Sequence, residues 1–181
     1  MKVDHAVGAF EAAALMGVHF TRPKRLAASG AIMSRVIPSP IDSESARVFT
    51  LFSAAECDGD WEEYEKKRDA AGGKTDRRPR AYEDLRPKVL KYLAKIEKPI
   101  LFNDAIGVAE VSDILGIHWS FPPRVARAGR IIGRLLWSQR SDTARAPRLW
   151  IFSRESCLKE AARVLKVEAA GQKVGRPRGR C

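Results

Sequence analysis

The chain has 181 residues, of which 33 are Lys or Arg and 22 are Asp or Glu, for a formal net charge of +11. That length holds one ordinary domain or two small ones, and a charge of that sign points to a polyanionic partner. No apolar run approaches membrane-spanning length, and the N-terminus lacks a basic segment followed by a long apolar stretch, so the expectation is a soluble, unexported protein without a membrane partner.

In chain order, Phe10 to Met16 carries apolar residues at helical spacing with a run of Ala, and Gly17 ends it. Thr21 is the expected cap of a second helix. Pro23 is tolerated in its first turn, where the nitrogen has no intrahelical partner, and Gly30 supplies the stop. Two short helices around a glycine-containing turn predict a helix-turn-helix. After Gly30 the pattern turns extended: "IMSRVI" and "RVFTLF" flank "PSPIDSESA", which predicts the hairpin wing of a winged helix-turn-helix. "SAAECDGDWEEYEKKRDA" then reads as a helix that begins acidic and ends basic, the order its dipole favours. Gly72, Gly73 and Pro79 in "AGGKTDRRPRA" break it and mark a linker. From Tyr82, "YEDLRPKVLKYLAKI" places Leu85, Val89, Leu90 and Leu93 on one face, predicting an amphipathic helix that supports a second helix-turn-helix.

That second helix-turn-helix is a copy of the first. At an offset of 99, Glu11/Glu110, Gly17/Gly116, His19/His118, Pro23/Pro122, Arg25/Arg124, Gly30/Gly129 and Arg35/Arg134 are identical. After one gapped residue, "RVFTLFSAAEC" aligns with "RLWIFSRESC", bringing Cys57 onto Cys157 as equivalent core positions. A last helix is expected from Arg154 to Val167. The predicted fold is mainly α with small β-hairpins (α+β): two tandem winged helix-turn-helix domains. The expected boundaries are 1–69 for the first with its trailing helix, 70–81 for a basic flexible linker, 82–167 for the second, and 168–181 for a basic tail.

"EAAALMGVHFTRPKRLAASGAI" resembles the MerR-like and excisionase-type winged helix-turn-helix, over roughly residues 9–52 and more weakly 109–152. The resemblance implies sequence-dependent DNA binding. The chain departs from that pattern by placing Pro23, and the pair Pro122 and Pro123, in the recognition helix, which shortens the regular helix that could read bases. The tail "KVGRPRGRC" resembles an AT-hook, in which arginines enter a narrow minor groove; Arg176, Arg178 and Arg180 are its cations, and Cys181 stands where Pro is usual. A basic tail that touches phosphates without groove preference is the other reading.

Arg22, Lys24 and Arg25 project from the beginning of the first recognition helix, with Thr21 at its cap, and Arg22 and Arg25 are the leading base-reading candidates; the second copy offers Ser120, Arg124, Arg127 and Arg130 as DNA contacts. The wings contribute Arg35, Arg47, Arg134, Arg140, Arg145 and Arg148, and the linker Arg77, Arg78 and Arg80. His19 and His118 share one turn position with no nearby Cys or Asp at ligand spacing, so a structural hydrogen bond is expected there rather than a metal. Phe20, Trp119, Trp137 and Trp150 read mostly as core.

Charge is uneven. Residues 1–60 carry six basic and seven acidic groups, 61–98 twelve and eight, 99–165 ten and six, and 166–181 five and one. The two copies are therefore not expected to contribute equally to phosphate binding. No phosphate-cradling loop or metal-ligand cluster is visible, and Asp58 and Asp60 stand alone at a helix start, so no enzyme and no cofactor are expected. Three cysteines, odd in number and without a Cys-x-x-Cys pair, fit a reducing cytoplasm, here nucleoid-associated. The expectation is a double-stranded DNA-binding transcription regulator of bacterial or phage type. The alternatives are an architectural, excision or packaging factor, or a scaffold whose first domain binds a protein or self-associates while the second holds DNA.

Overall fold

The computed structural model describes residues 4–38, 49–57, 85–137 and 149–170. They form an α+β fold of two matching units, each with a small three-stranded antiparallel sheet. The first unit runs β1 (Ala6–Val7), α1 (Ala9–Met16), α2 (Arg22–Ala28), β2 (Ser34–Ile37), β3 (Phe49–Ser53) and α3 (Ala54–Cys57). Helix α4 (Leu85–Leu93) precedes the second unit, which runs β4 (Ala105–Ile106), α5 (Val108–Leu115), α6 (Pro122–Arg127), β5 (Gly133–Leu135), β6 (Trp150–Ser153) and α7 (Arg154–Ala169). Strand orders β1-β3-β2 and β4-β6-β5 correspond, with Arg35 opposite Leu51 and Arg134 opposite Ile151. The predicted helix stops hold: Gly17 and Gly116 take φ of 64° and 61°, the left-handed region where a side chain is disfavoured.

Strand periodicity decides how the layers stack. Val7 and Phe52 face their own helices, in a core with Ala12, Leu15, Ile32 and Cys57. Ile106 and Phe152 do the same in the second unit, with Val111, Val125, Ile131 and Cys157. Their chain neighbours point the other way, because successive side chains of a strand alternate faces. Ala6, Leu51, Ala105 and Ile151 thus join Ile37, Leu136, Ile100 and Phe102 in a third core to which both units contribute. The layers are helices, sheet, sheet, helices, with the two sheets face to face.

Contacts across this shared core are reciprocal. Arg134 pairs with Glu11, and its counterpart Arg35 pairs with Glu110. A Cβ on Gly107 would collide with Ile37 Cγ2, and one on Gly8 would lie 3.2 Å from Leu136 Cδ1, the equivalent contact. The segments before β1 and β4 also meet antiparallel: Ala6 N–H donates to Ile100 O (2.9 Å), and Phe102 N–H to Asp4 O (3.1 Å).

One expected placement is corrected. Helix α4, read as the support of the second unit, packs on α1 of the first, where Leu93 joins the first unit's core. The corresponding face of α5 is already covered by α7, which extends to Ala169. Part of the 82–167 segment therefore completes the first unit. The segment 70–81 expected as a linker, the helix expected beyond Cys57 as far as residue 69, the two loops expected as wings and the tail from residue 171 lie outside the described residues.

Candidate functional site

The turn between the two helices of each unit is built around its histidine. Thr21 N–H donates to His19 Nδ1 (3.4 Å), and the Thr21 hydroxyl lies 2.9 Å from the same nitrogen. In the second unit Ser120 N–H reaches His118 Nδ1 at 3.3 Å, with the Ser120 hydroxyl at 3.0 Å. A backbone N–H can only donate, so Nδ1 is its acceptor in both rings. Thr21 occupies the position before α2, yet its side chain makes no capping bond; it is spent on His19. Buried Pro23 and Pro122 anchor the first turns of α2 and α6. The cations beside them, Arg22, Lys24 and Arg25 in one unit and Arg124 and Arg127 in the other, are exposed.

The second unit steadies its cations on aromatic rings. Arg124 lies over Phe121 at 5.4 Å from the ring centroid, and Arg127 over Trp150 at 5.3 Å. Trp119 departs from the expected core placement: it is 47% exposed, whereas its counterpart Phe20 is stacked on Phe10 at 5.2 Å.

No family model, curated protein or solved structure matches the chain.

Three expected DNA contacts are engaged elsewhere. Arg134, expected on the wing, is buried: Nη1 donates to Glu11 Oε1 (2.8 Å), and Nη2 to Glu11 Oε2 (3.0 Å) and to Ala6 O (2.5 Å). Burial works against its charge, but the Glu11 carboxylate, with help from Tyr92, outweighs it and holds the guanidinium above its ordinary pKa. Its position on the inner face of β5 is the physical reason, since alternation turns it with Leu136 toward the other unit. Arg35, on the equivalent face of β2, is half-buried and pairs with Glu110 at 3.7 Å. Arg130 is held by Glu160 through its Nε at 2.6 Å. Arg47, Arg77, Arg78, Arg80, Arg140, Arg145, Arg148, Arg176, Arg178 and Arg180 lie outside the described residues.

Residues that sequence reasoning missed are the acidic partners. Glu11 accepts from Arg134, from Gly8 N–H (2.9 Å) and from Trp137 N–H (2.8 Å). The joint recurrence of Glu11/Glu110 and Arg35/Arg134 in the repeat was the available signal, since paired positions that recur together suit a symmetric contact. Glu160 had no such signal. Burial lifts the Cys157 thiol to about 11, so that residue is packing rather than a nucleophile. Among the described residues no group of three or more His, Cys, Asp or Glu could hold a metal, and no described helix is long and apolar enough to cross a membrane.

The Glu160 cluster is expected to make stability depend on pH. Hydrogen bonding from Arg163, opposed by burial and reinforced by Arg130, sets its carboxyl below the ordinary value. A depressed folded pKa gives stabilisation that is complete above the unfolded pKa and is lost as pH falls through the folded one. Glu160→Gln is therefore expected to lower the melting temperature at neutral pH, with the gap from the parent shrinking below about pH 4.3, the ordinary Glu value. Paired thermal melts across that range check it; a gap independent of pH would contradict it.

Proposed function

We propose that each unit is a winged helix-turn-helix and that the chain binds double-stranded DNA, as a transcription regulator, with α2 and α6 as its recognition helices. The observation that carries this reading is the repeated first turn. In both units a histidine-bound turn and a buried proline fix the start of the second helix, and exposed arginines project beside them. The N-terminal residues of a recognition helix are those that reach base edges, and Arg is suited to guanine through two parallel hydrogen bonds. A proline in the first turn leaves that role intact, because it removes an N–H that had no helical partner.

Arg25 and Arg124 occupy equivalent positions and are the leading base readers. Arg25→Ala and Arg124→Ala are each expected to cost about 1–3 kcal/mol on the preferred site and to relax preference at one position. Fluorescence anisotropy on a selected duplex and on its single-base variants measures both effects. Equal weakening on every sequence would assign that arginine to phosphate. Affinity is also expected to fall steeply with added salt, since phosphate neutralisation releases counterions; a flat salt response would remove the electrostatic basis of the proposal.

A further inference from the structure

We infer that the DNA read by this chain is an imperfect inverted repeat on one duplex, its two half-sites about one helical turn apart. The inference rests on the DNA-binding reading above and specifies its substrate. Four contacts carry it: Glu11 with Arg134 and Glu110 with Arg35, Gly8 with Leu136 and Gly107 with Ile37. In each pair of contacts residue i of one unit meets residue j of the other, and the counterpart of j meets the counterpart of i. That is the signature of an isologous, two-fold interface, here formed within one chain.

The layer order fixes where the pseudo-dyad lies. The two sheets stack face to face with their helices outside. A two-fold rotation that exchanges stacked layers has its axis in the plane between them. If the exposed first turns of α2 and α6 face along that axis, both present their cations in the same direction, with opposite polarity across it. Two helices so related match a duplex whose half-sites are inverted, because duplex DNA has local two-fold axes of its own. The helix layers are separated by three layer spacings of about 10 Å each, roughly 30 Å in all. That is close to the 34–36 Å, about 10 bp, between successive major-groove faces on one side of a duplex.

The repeat is imperfect where bases would be read. Arg25 and Arg124 coincide, but Arg22 and Lys24 stand opposite Phe121 and Pro123, and Arg127 stands opposite Ala28. The half-sites therefore share the position read by the coincident arginines and diverge on either side of it.

The test is selection of the full chain against a random duplex pool, followed by affinity measurements on the enriched sequence. Enrichment of an inverted repeat is expected, with Arg25→Ala relaxing one half-site and Arg124→Ala the other. Because the shared core fixes the units relative to each other, inserting about 5 bp between the half-sites turns one of them to the far side of the duplex. Affinity is then expected to drop by about ten-fold or more, as the second contact is lost. Enrichment of a direct repeat or of a single half-site, indifference to the insertion, or two duplexes bound per chain by native mass spectrometry would each overturn the inverted-repeat inference while leaving DNA binding in place. No enrichment in any round would overturn the DNA-binding reading itself.

Discussion

Arg134→Met is expected to destabilise the protein by about 3–5 kcal/mol, the range for removing one partner of a buried ion pair. Arg35→Met, the same change at the equivalent position, is expected to cost less than about 1 kcal/mol, as for solvent-screened pairs. The contrast follows from two sequence differences between the repeats. Glu11 is fully buried and Arg134 is 8% exposed, whereas Glu110 and Arg35 are 34% and 35% exposed. Where the first unit has Phe10, the second has Ala109, so only Phe10 can pack against Trp137, at 6.4 Å edge to face. Where the second unit has Trp137, the first has Pro38, which lacks the N–H that Trp137 gives to Glu11. Tyr92 closes the site further by donating to Leu135 O at 2.5 Å. Removing Arg134 strands a carboxylate in this enclosure, while removing Arg35 leaves Glu110 in reach of water. Urea unfolding of the two variants measures the difference, and Glu11→Leu added to Arg134→Met is expected to recover much of the loss by removing the stranded charge. Equal costs at the two positions would contradict the account.

A fragment spanning residues 94–170 is expected to be a dimer rather than a stable monomer. On its own it would expose Ile100, Phe102, Ala105, Leu136 and Ile151, which the first unit covers in the whole chain. It would also leave Arg134 without Glu11. A second copy of the fragment supplies what is missing, because the interface is two-fold: its Glu110 would stand where Glu11 stands, and its Ile151 where Leu51 does. Sedimentation over a range of concentrations should therefore show a monomer–dimer equilibrium, with melting temperature rising with concentration. Glu110→Arg should push the fragment toward monomer by setting like charges against each other across both symmetric contacts. A cooperative, concentration-independent monomer would mean that the shared core is dispensable. Through this core the two units are held together by packing, whatever the 70–81 segment contributes.

Much of each unit was legible because the signals are local. Gly17, Gly30, Gly116 and Gly129 stop helices through their own backbone freedom, Pro23 and Pro122 mark first turns, and "IMSRVI" with "RVFTLF" announces a hairpin. Strands β1 and β4 escaped notice because two residues cannot display a period. Helix α4 was recognised as amphipathic, yet an apolar stripe specifies that a face is buried and not which neighbour buries it. The same ambiguity hid the fates of Arg35, Arg130 and Arg134, since an arginine beside an expected recognition helix or wing reads as a DNA contact until an acidic partner is placed beside it.

The sequence by itself determined that the chain contains one local design twice, with matching turns and matching strands, and that Arg25 and Arg124 stand at the same point of each. Only the tertiary structure decided that the two are one body. The adjacent buried pairs Leu51–Phe52 and Ile151–Phe152 require both faces of each sheet to be covered, because neighbouring strand residues point in opposite directions. Helices of the same unit cover one face, close in sequence and foreseeable. The cover of the other face comes from residues about a hundred positions away, and a pairing at that distance is fixed by complementary shape and charge, Glu11 meeting Arg134 and Gly107 admitting Ile37, which no local pattern encodes.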